Sequence, residues 1–158
     1  MNRSQVNWMN EDIKWMKLAI ENAKKAESVG EIPVGAIIVS NNITLSSSYN
    51  TSISQNDPTA HAEVNAIREA SKKINNYRIL DAKLYVTLEP CAMCYGAIVH
   101  SRINEIIYGA FDKKTGVCGS CLSLHQESLF NHRPQIRSGI LEDECSRLLK
   151  NFFIKKRV

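Results

Sequence analysis

Two short strings, His61-Ala62-Glu63 and, directly after Pro90, Cys91-Ala92-Met93-Cys94, constrain this chain more than anything else in it. They supply three donors of the metal-ligating type on separated segments, which a fold must bring together, and one carboxylate that coordination does not need. Structural zinc usually takes four protein ligands, whereas catalytic zinc takes three and leaves a position for the water it activates. The strings therefore predict one Zn²⁺ per chain held by His61, Cys91 and Cys94. Glu63 is left to carry the proton that such a water gives up.

A chain of 158 residues with 44% apolar composition suits a single domain, here expected over residues 1–158, with one substantial core. Apolar runs such as Val34 to Val39 are too short to cross a bilayer, and the amino terminus lacks a charged-then-apolar signal pattern. A cytoplasmic protein without a membrane span is the expectation. Five cysteines, an odd count, argue against a disulfide framework and for reduced thiols serving as ligands or packing.

Asn10, Glu11 and Asp12 open a helix with Ile13, Met16, Ile20 and Ala23 at helical spacing and Gly30 as its stop. Val34 to Ser40 and Ile43 to Ser47 flank Asn41-Asn42, a pair that tolerates left-handed backbone, and so read as a β-hairpin. A helix over about Ala60 to Lys73, a strand Leu84 to Leu88, a helix from Pro90 to about His100 and a strand Asn104 to Gly109 follow. After a Gly-containing loop come a strand Ile136 to Ile140 and a closing helix Glu142 to Phe153. This alternation predicts an α/β fold with helices on both faces of the sheet. It also places both halves of the metal motif at helix starts, where the dipole favours thiolates and side chains can lean past the helix end. Two helices following neighbouring strands would bring those starts together at one end of the sheet.

A second C-x-x-C, Cys118-Gly119-Ser120-Cys121, leaves a four-cysteine structural zinc site open as an alternative, although its spacing from the first pair exceeds the zinc-ribbon range. The simpler assignment makes Cys118, Cys121 and Cys145 buried or semi-buried thiols. The formal charge of +4 is matched by Lys150, Lys155, Lys156 and Arg157, which share the last nine residues with Phe152 and Phe153 and no acid. Such a tail suits phosphates and unstacked bases, and equally suits a solvated helix end over core phenylalanines.

The pairing of H-x-E with P-C-x-x-C is the signature of zinc nucleobase deaminases. The strings Glu31-Ile32-Pro33-Val34-Gly35-Ala36, Asn56-Asp57-Pro58-Thr59-Ala60-His61-Ala62-Glu63, Tyr85-Val86-Thr87-Leu88-Glu89-Pro90-Cys91 and Lys114-Thr115-Gly116 narrow it further. From about Trp15 to Phe153 the chain resembles the tRNA-specific adenosine deaminases. That resemblance implies a three-layer α/β/α fold of the cytidine-deaminase type with a five-stranded mixed sheet, and a homodimer. It implies hydrolysis of adenosine to inosine at the wobble position of a tRNA anticodon, in a stem-loop whose bases are already unstacked. It further implies that Asn50 hydrogen-bonds the adenine, that Ile32, Ala62 and Pro90 wall the pocket, and that Asp112 and Lys114 lie near the nucleotide backbone. Phe152, Phe153, Lys156 and Arg157 fall where the family's last helix meets the stem-loop. A deaminase of a free base or nucleoside such as guanine or cytidine, and a non-catalytic RNA-binding module with structural zinc, are the competing readings.

Overall fold

The structure, a computed structural model, describes residues 7–157; both ends of the expected domain, residues 1–6 and 158, lie outside the described residues. Helix α1 (Asn10–Ser28) is followed by strands β1 (Gly35–Ser40) and β2 (Ile43–Tyr49), helix α2 (Ala62–Ile74), strand β3 (Ala82–Leu88), helix α3 (Ala92–Ser101), strand β4 (Glu105–Ala110), strand β5 (Gln135–Ser138) and helix α4 (Glu142–Lys156). The hairpin turn is the expected one, with Asn41 and Asn42 at φ 50 and 59. Gly30, at φ +82, lies just past the α1 C-cap Val29. Met9 rather than Asn10 holds the N-cap of α1, and α4 runs three residues past Phe153, so Lys155 and Lys156 are helical.

The five strands are ordered β2-β1-β3-β4-β5. β1 is antiparallel to both β2 and β3, whereas β3, β4 and β5 are mutually parallel. The strands preceding α2 and α3 are thus not neighbours: β1, the inner arm of the hairpin, stands between them. The expected meeting of helix starts survives because β1 alone is reversed. The C-terminal ends of β2, β3 and β4 therefore share one end of the sheet with the beginning of β1.

Alternation along the strands divides the core in two, as a pleated sheet requires. Ala36, Ile38, Leu84, Val86 and Ile106 face α2 and α3, and Ile37, Val39, Tyr85 and Ile107 face α1 and α4. The layers are closely applied. A Cβ on Gly35 would stand 2.0 Å from the Ala19 carbonyl oxygen of α1. Across the second layer, Asp12 of α1 accepts from the Tyr85 hydroxyl of β3 at 2.7 Å and takes two bonds, 2.8 and 3.0 Å, from Arg137 of β5. Arg137 also donates to Glu105 of β4 and lies 5.3 Å from the Trp8 ring. These contacts stitch the amino-terminal helix to three strands far from it in sequence.

Candidate active site

His61 and Cys91 hold the same local position, each the N-cap of its helix, on extended backbone at φ −71, ψ 156 and φ −80, ψ 173. An N-cap side chain ordinarily bonds a free amide of its own first turn. Neither does so here, which leaves both side chains to point elsewhere. They point at each other. The His61 Nδ1 stands 3.7 Å from the Cys91 Sγ and 3.5 Å from the Cys94 Sγ, and the three donor atoms lie within 4.8 Å of one another. Bonds of about 2.3 Å to sulfur and about 2.0 Å to nitrogen at a tetrahedral angle separate such donors by about 3.5 Å, so the set fits zinc. The extended N-cap backbone also explains how His61 and Glu63, two apart, serve one place: only Glu63 is inside the helix.

Glu63 is 4% exposed, with a carboxylate oxygen 3.3 Å from the Cys94 Sγ. Burial pushes its carboxyl up to about 7, and negative charge on Cys91 acts in the same direction. A hydrogen bond from the Cys94 thiol, aided by His61, draws Cys91 down to about 4 against the effect of burial. Cys94 is correspondingly held protonated by that bond and by burial. The bond to Cys91 also raises His61, against its burial. One thiolate beside a protonatable imidazole is a site in which a metal cation can take the place of protons.

The residues expected around this centre come from four segments, and the reversed β1 explains why they can converge. Ile32 and Pro33 precede β1; Asn50, buried, follows β2 and donates its backbone N–H to the Val34 carbonyl at 3.1 Å. Ala62 is fully buried at the start of α2, and Pro90 is buried after β3, its carbonyl accepting from Val117 N–H at 3.0 Å. Asp112 follows β4; its carboxylate accepts from Lys114 N–H, Thr115 N–H and the Thr115 hydroxyl at 3.0, 3.1 and 2.7 Å, while the Lys114 side chain is exposed. The α4 residues are not in this layer. Phe152 is 6% exposed and Phe153 44%, so Phe153 is the ring presented to solvent, with Lys156 and Arg157 exposed beyond it. Among the described residues the second C-x-x-C adds no donor to the cluster; Cys118 is buried, whereas Cys121, expected to be at least partly covered, is exposed. Cys121 lies in a loop turned outward by the Cys118–Ser123 bridge and the Gly119 N–H bond to the Leu122 carbonyl.

Three residues that sequence reasoning left without a role frame the site. Glu31, 1% exposed, accepts from the backbone N–H of Ile53 and Ser54 at 3.2 and 2.6 Å. The Asn65 amide of α2 donates to the Tyr49 carbonyl and the Thr51 hydroxyl, both at 2.9 Å, fixing the segment that leads into His61. Glu89, 2% exposed, accepts from Asp112, Cys118 and Ser120 N–H. The two acids are marked in the sequence only by standing directly before Ile32 and Pro90, and Asn65 carries no such mark.

Residues 9–110 match the family model of the cytidine and deoxycytidylate deaminase zinc-binding region. A tRNA-specific adenosine deaminase of Haemophilus influenzae is 51% identical over 92% of this chain and 85% of that protein, and one of Bacillus subtilis is 45% identical over 94% and 92%. Among solved structures, one from a study of A-to-I editing by tRNA:A34 deaminases at the wobble position of transfer RNA superposes with a TM-score of 0.84 at 38% identity, covering 86% of this chain and 99% of that one. A donor triad at two helix starts, a buried carboxylate beside it and this extent of identity agree, and the chain belongs to the tRNA-specific adenosine deaminases of the cytidine and deoxycytidylate deaminase family.

Proposed function

We propose that this chain hydrolyses adenosine to inosine at the wobble position of a tRNA anticodon. The observation that carries the reading is the geometry of the centre: three donor atoms of His61, Cys91 and Cys94 within 4.8 Å of one another, and the Glu63 carboxyl, 4% exposed, set directly against them where it can take a proton and return it. His61, Cys91 and Cys94 would hold the zinc, which when bound would supply the Lewis acidity that brings the ionisation of a water towards neutrality. Glu63 takes the water's proton on a carboxylate oxygen as the remaining oxygen bonds to C6 of adenine. It delivers that proton to the ring nitrogen, then takes the proton of the new C6 hydroxyl and passes it to the exocyclic amine; the C6–N bond breaks as the C6 carbonyl forms, so adenosine and water become inosine and ammonia.

Asn50 is assigned to hydrogen-bonding the base, and Ile32, Ala62 and Pro90 to the walls that hold it. Asp112 and Lys114 are assigned to the flanking backbone, and Phe152, Phe153, Lys156 and Arg157 to the stem-loop, with Phe153 and the two cations as its exposed members. Residues 1–158 form one deaminase domain acting in the cytoplasm; among the described residues no helix is long and apolar enough to cross a membrane. The chain acts as a homodimer. Support comes from α3, whose outward side carries Met93, 38% exposed, beside Ala92, Gly96 and Ala97, with His100 exposed at its end. Small and apolar residues on the outer face of a helix suit close packing against a second copy, and a monomeric mass in solution would remove the assignment.

The functional reading is tested by presenting the zinc-loaded protein with an anticodon stem-loop and, separately, with free adenosine, guanine and cytidine. A mass gain of about one dalton at a single anticodon nucleotide is expected, with the free compounds untouched. Turnover of a free base with the stem-loop unchanged would refute it.

A further inference from the structure

We propose that Glu89 is a positioning residue: its buried carboxylate holds the loop of residues 111–120 against the active centre in the arrangement that receives the RNA backbone. The inference deepens the proposed function and rests on it. Both carboxylate oxygens are engaged by this one loop, Oε2 by Asp112 N–H at 2.9 Å and Oε1 by the Cys118 and Ser120 N–H at 3.1 and 2.9 Å. The bonded amides span the loop from its beginning to its far side. The backbone of the same short segment completes the attachment, since Glu89 N–H donates to the Ala110 carbonyl and Val117 N–H to the Pro90 carbonyl. The loop leaves room for the acid: a Cβ on Gly116 would stand 2.4 Å from the Glu89 carboxyl carbon and from one of its oxygens.

Two observations set this loop at the reaction centre. It leaves β4 at the end of the sheet where His61 and Cys91 meet, and its Val117 N–H is bonded at 3.0 Å to the carbonyl of Pro90, the residue directly before Cys91. Asp112, whose amide is bound to Glu89, in turn fixes the following turn through Lys114 and Thr115. The position of Lys114 is therefore set through Asp112 by an acid next to Pro90. Loop amides on a surface are usually satisfied by water; a buried carboxylate taking three of them exchanges that freedom for one geometry.

Glu89→Gln keeps the shape but turns an NH₂ donor towards amides that need an acceptor. The experiment measures KM and kcat of the zinc-loaded variant on an anticodon stem-loop, together with zinc content and backbone amide exchange. KM is expected to rise about tenfold, the equivalent of one charge-assisted hydrogen bond, with kcat within about threefold and zinc still one per chain. Exchange of the Asp112, Cys118 and Ser120 amides should quicken at least about tenfold while β3 and α3 stay protected. Gly116→Ala, which presses the same carboxylate from the loop side, should raise KM in the same way, and Glu89→Asp should recover more than Gln. A fall in kcat or zinc with KM unchanged, or lower thermal stability without faster loop exchange, would overturn the proposal in favour of a merely structural role. A wild-type chain that leaves the stem-loop untouched refutes the functional reading instead, and exchange of the loop amides then decides whether Glu89 holds the loop.

Discussion

Replacing Arg137 by Met should destabilise the protein in a way that depends on pH. The substitution keeps most of the aliphatic stem and removes the guanidinium, which among the described residues leaves Asp12 with the Tyr85 hydroxyl and Glu105 with Lys83 at 3.8 Å. The Asp12 side chain is 4% exposed and that of Arg137 31%. Breaking a buried ion pair by deleting one partner costs about 3–5 kcal/mol; the partial exposure of Arg137 lets water offset some of this, so about 2–3 kcal/mol is expected at pH 7. For a domain of this size that is about 5–10 °C in Tm. In the wild type, burial would raise the Asp12 carboxyl, but the bonds from Arg137 and Tyr85 outweigh it and hold it below its ordinary 3.8. Its contribution is thus present at pH 7 and pH 5 alike, and is lost only as pH falls through that lowered value. In the variant burial acts without the guanidinium, so Asp12 takes up a proton in the folded state before it would in the unfolded one, and acidification relieves the variant. The gap between the two proteins should therefore narrow from pH 7 to pH 5. Urea titrations followed by far-UV circular dichroism, at fixed protein concentration and zinc loading, compare the two proteins at each pH, so acid effects on the zinc ligands cancel. Asp12→Asn added to Arg137→Met should recover part of the stability at pH 7, because it removes the buried charge of Asp12 while Glu105 keeps Lys83 at 3.8 Å. An equal gap at both pH values, or one below about 1 kcal/mol, would refute the reasoning.

Glu63→Gln should retain fold and one zinc per chain while turnover on the stem-loop drops about 10²–10⁴-fold, the usual worth of a general acid–base group; a loss within tenfold in single-turnover assays would remove Glu63 from its role. Cys121→Ser and Cys118→Ser should leave metal content unchanged by elemental analysis, whereas Cys94→Ser should lower it, because only the latter belongs to the donor cluster; zinc loss in either of the first two would reopen the four-cysteine site.

Much of this molecule is legible in its sequence because a few residue types carry conformational meaning by themselves. Asn41-Asn42 marks a hairpin because asparagine tolerates the left-handed backbone found there, and Gly30 marks the end of α1 for the same reason. The donor set is legible because His, Cys and Cys with a spare Glu have few other uses in that order. Long-range partnerships are different. Asp12 and Arg137 are 125 residues apart, and their pairing depends on β5 lying beside β4, which neither local pattern encodes. The place of β1 between β2 and β3 is hidden similarly: helix and strand order is the same whichever free edge of the hairpin β3 joins.

The acids around the site were hard to read for a further physical reason. Glu31 and Glu89 bind backbone amides, which every residue but proline has, so their partners leave no trace in the sequence. Yet their positions follow from the topology. Because β1 is reversed, Glu31 before it and Glu89 after β3 come to the same end of the sheet, next to Ile32 and Pro90 respectively. Each takes the amides of one flanking loop, Glu31 those of residues 53 and 54, Glu89 those of residues 112, 118 and 120. A carboxylate has several lone-pair sites and can order more loop backbone than any neutral side chain of its size. Placing one on each side lets irregular segments, which give access to a large substrate, keep the fixed geometry that a metal centre demands.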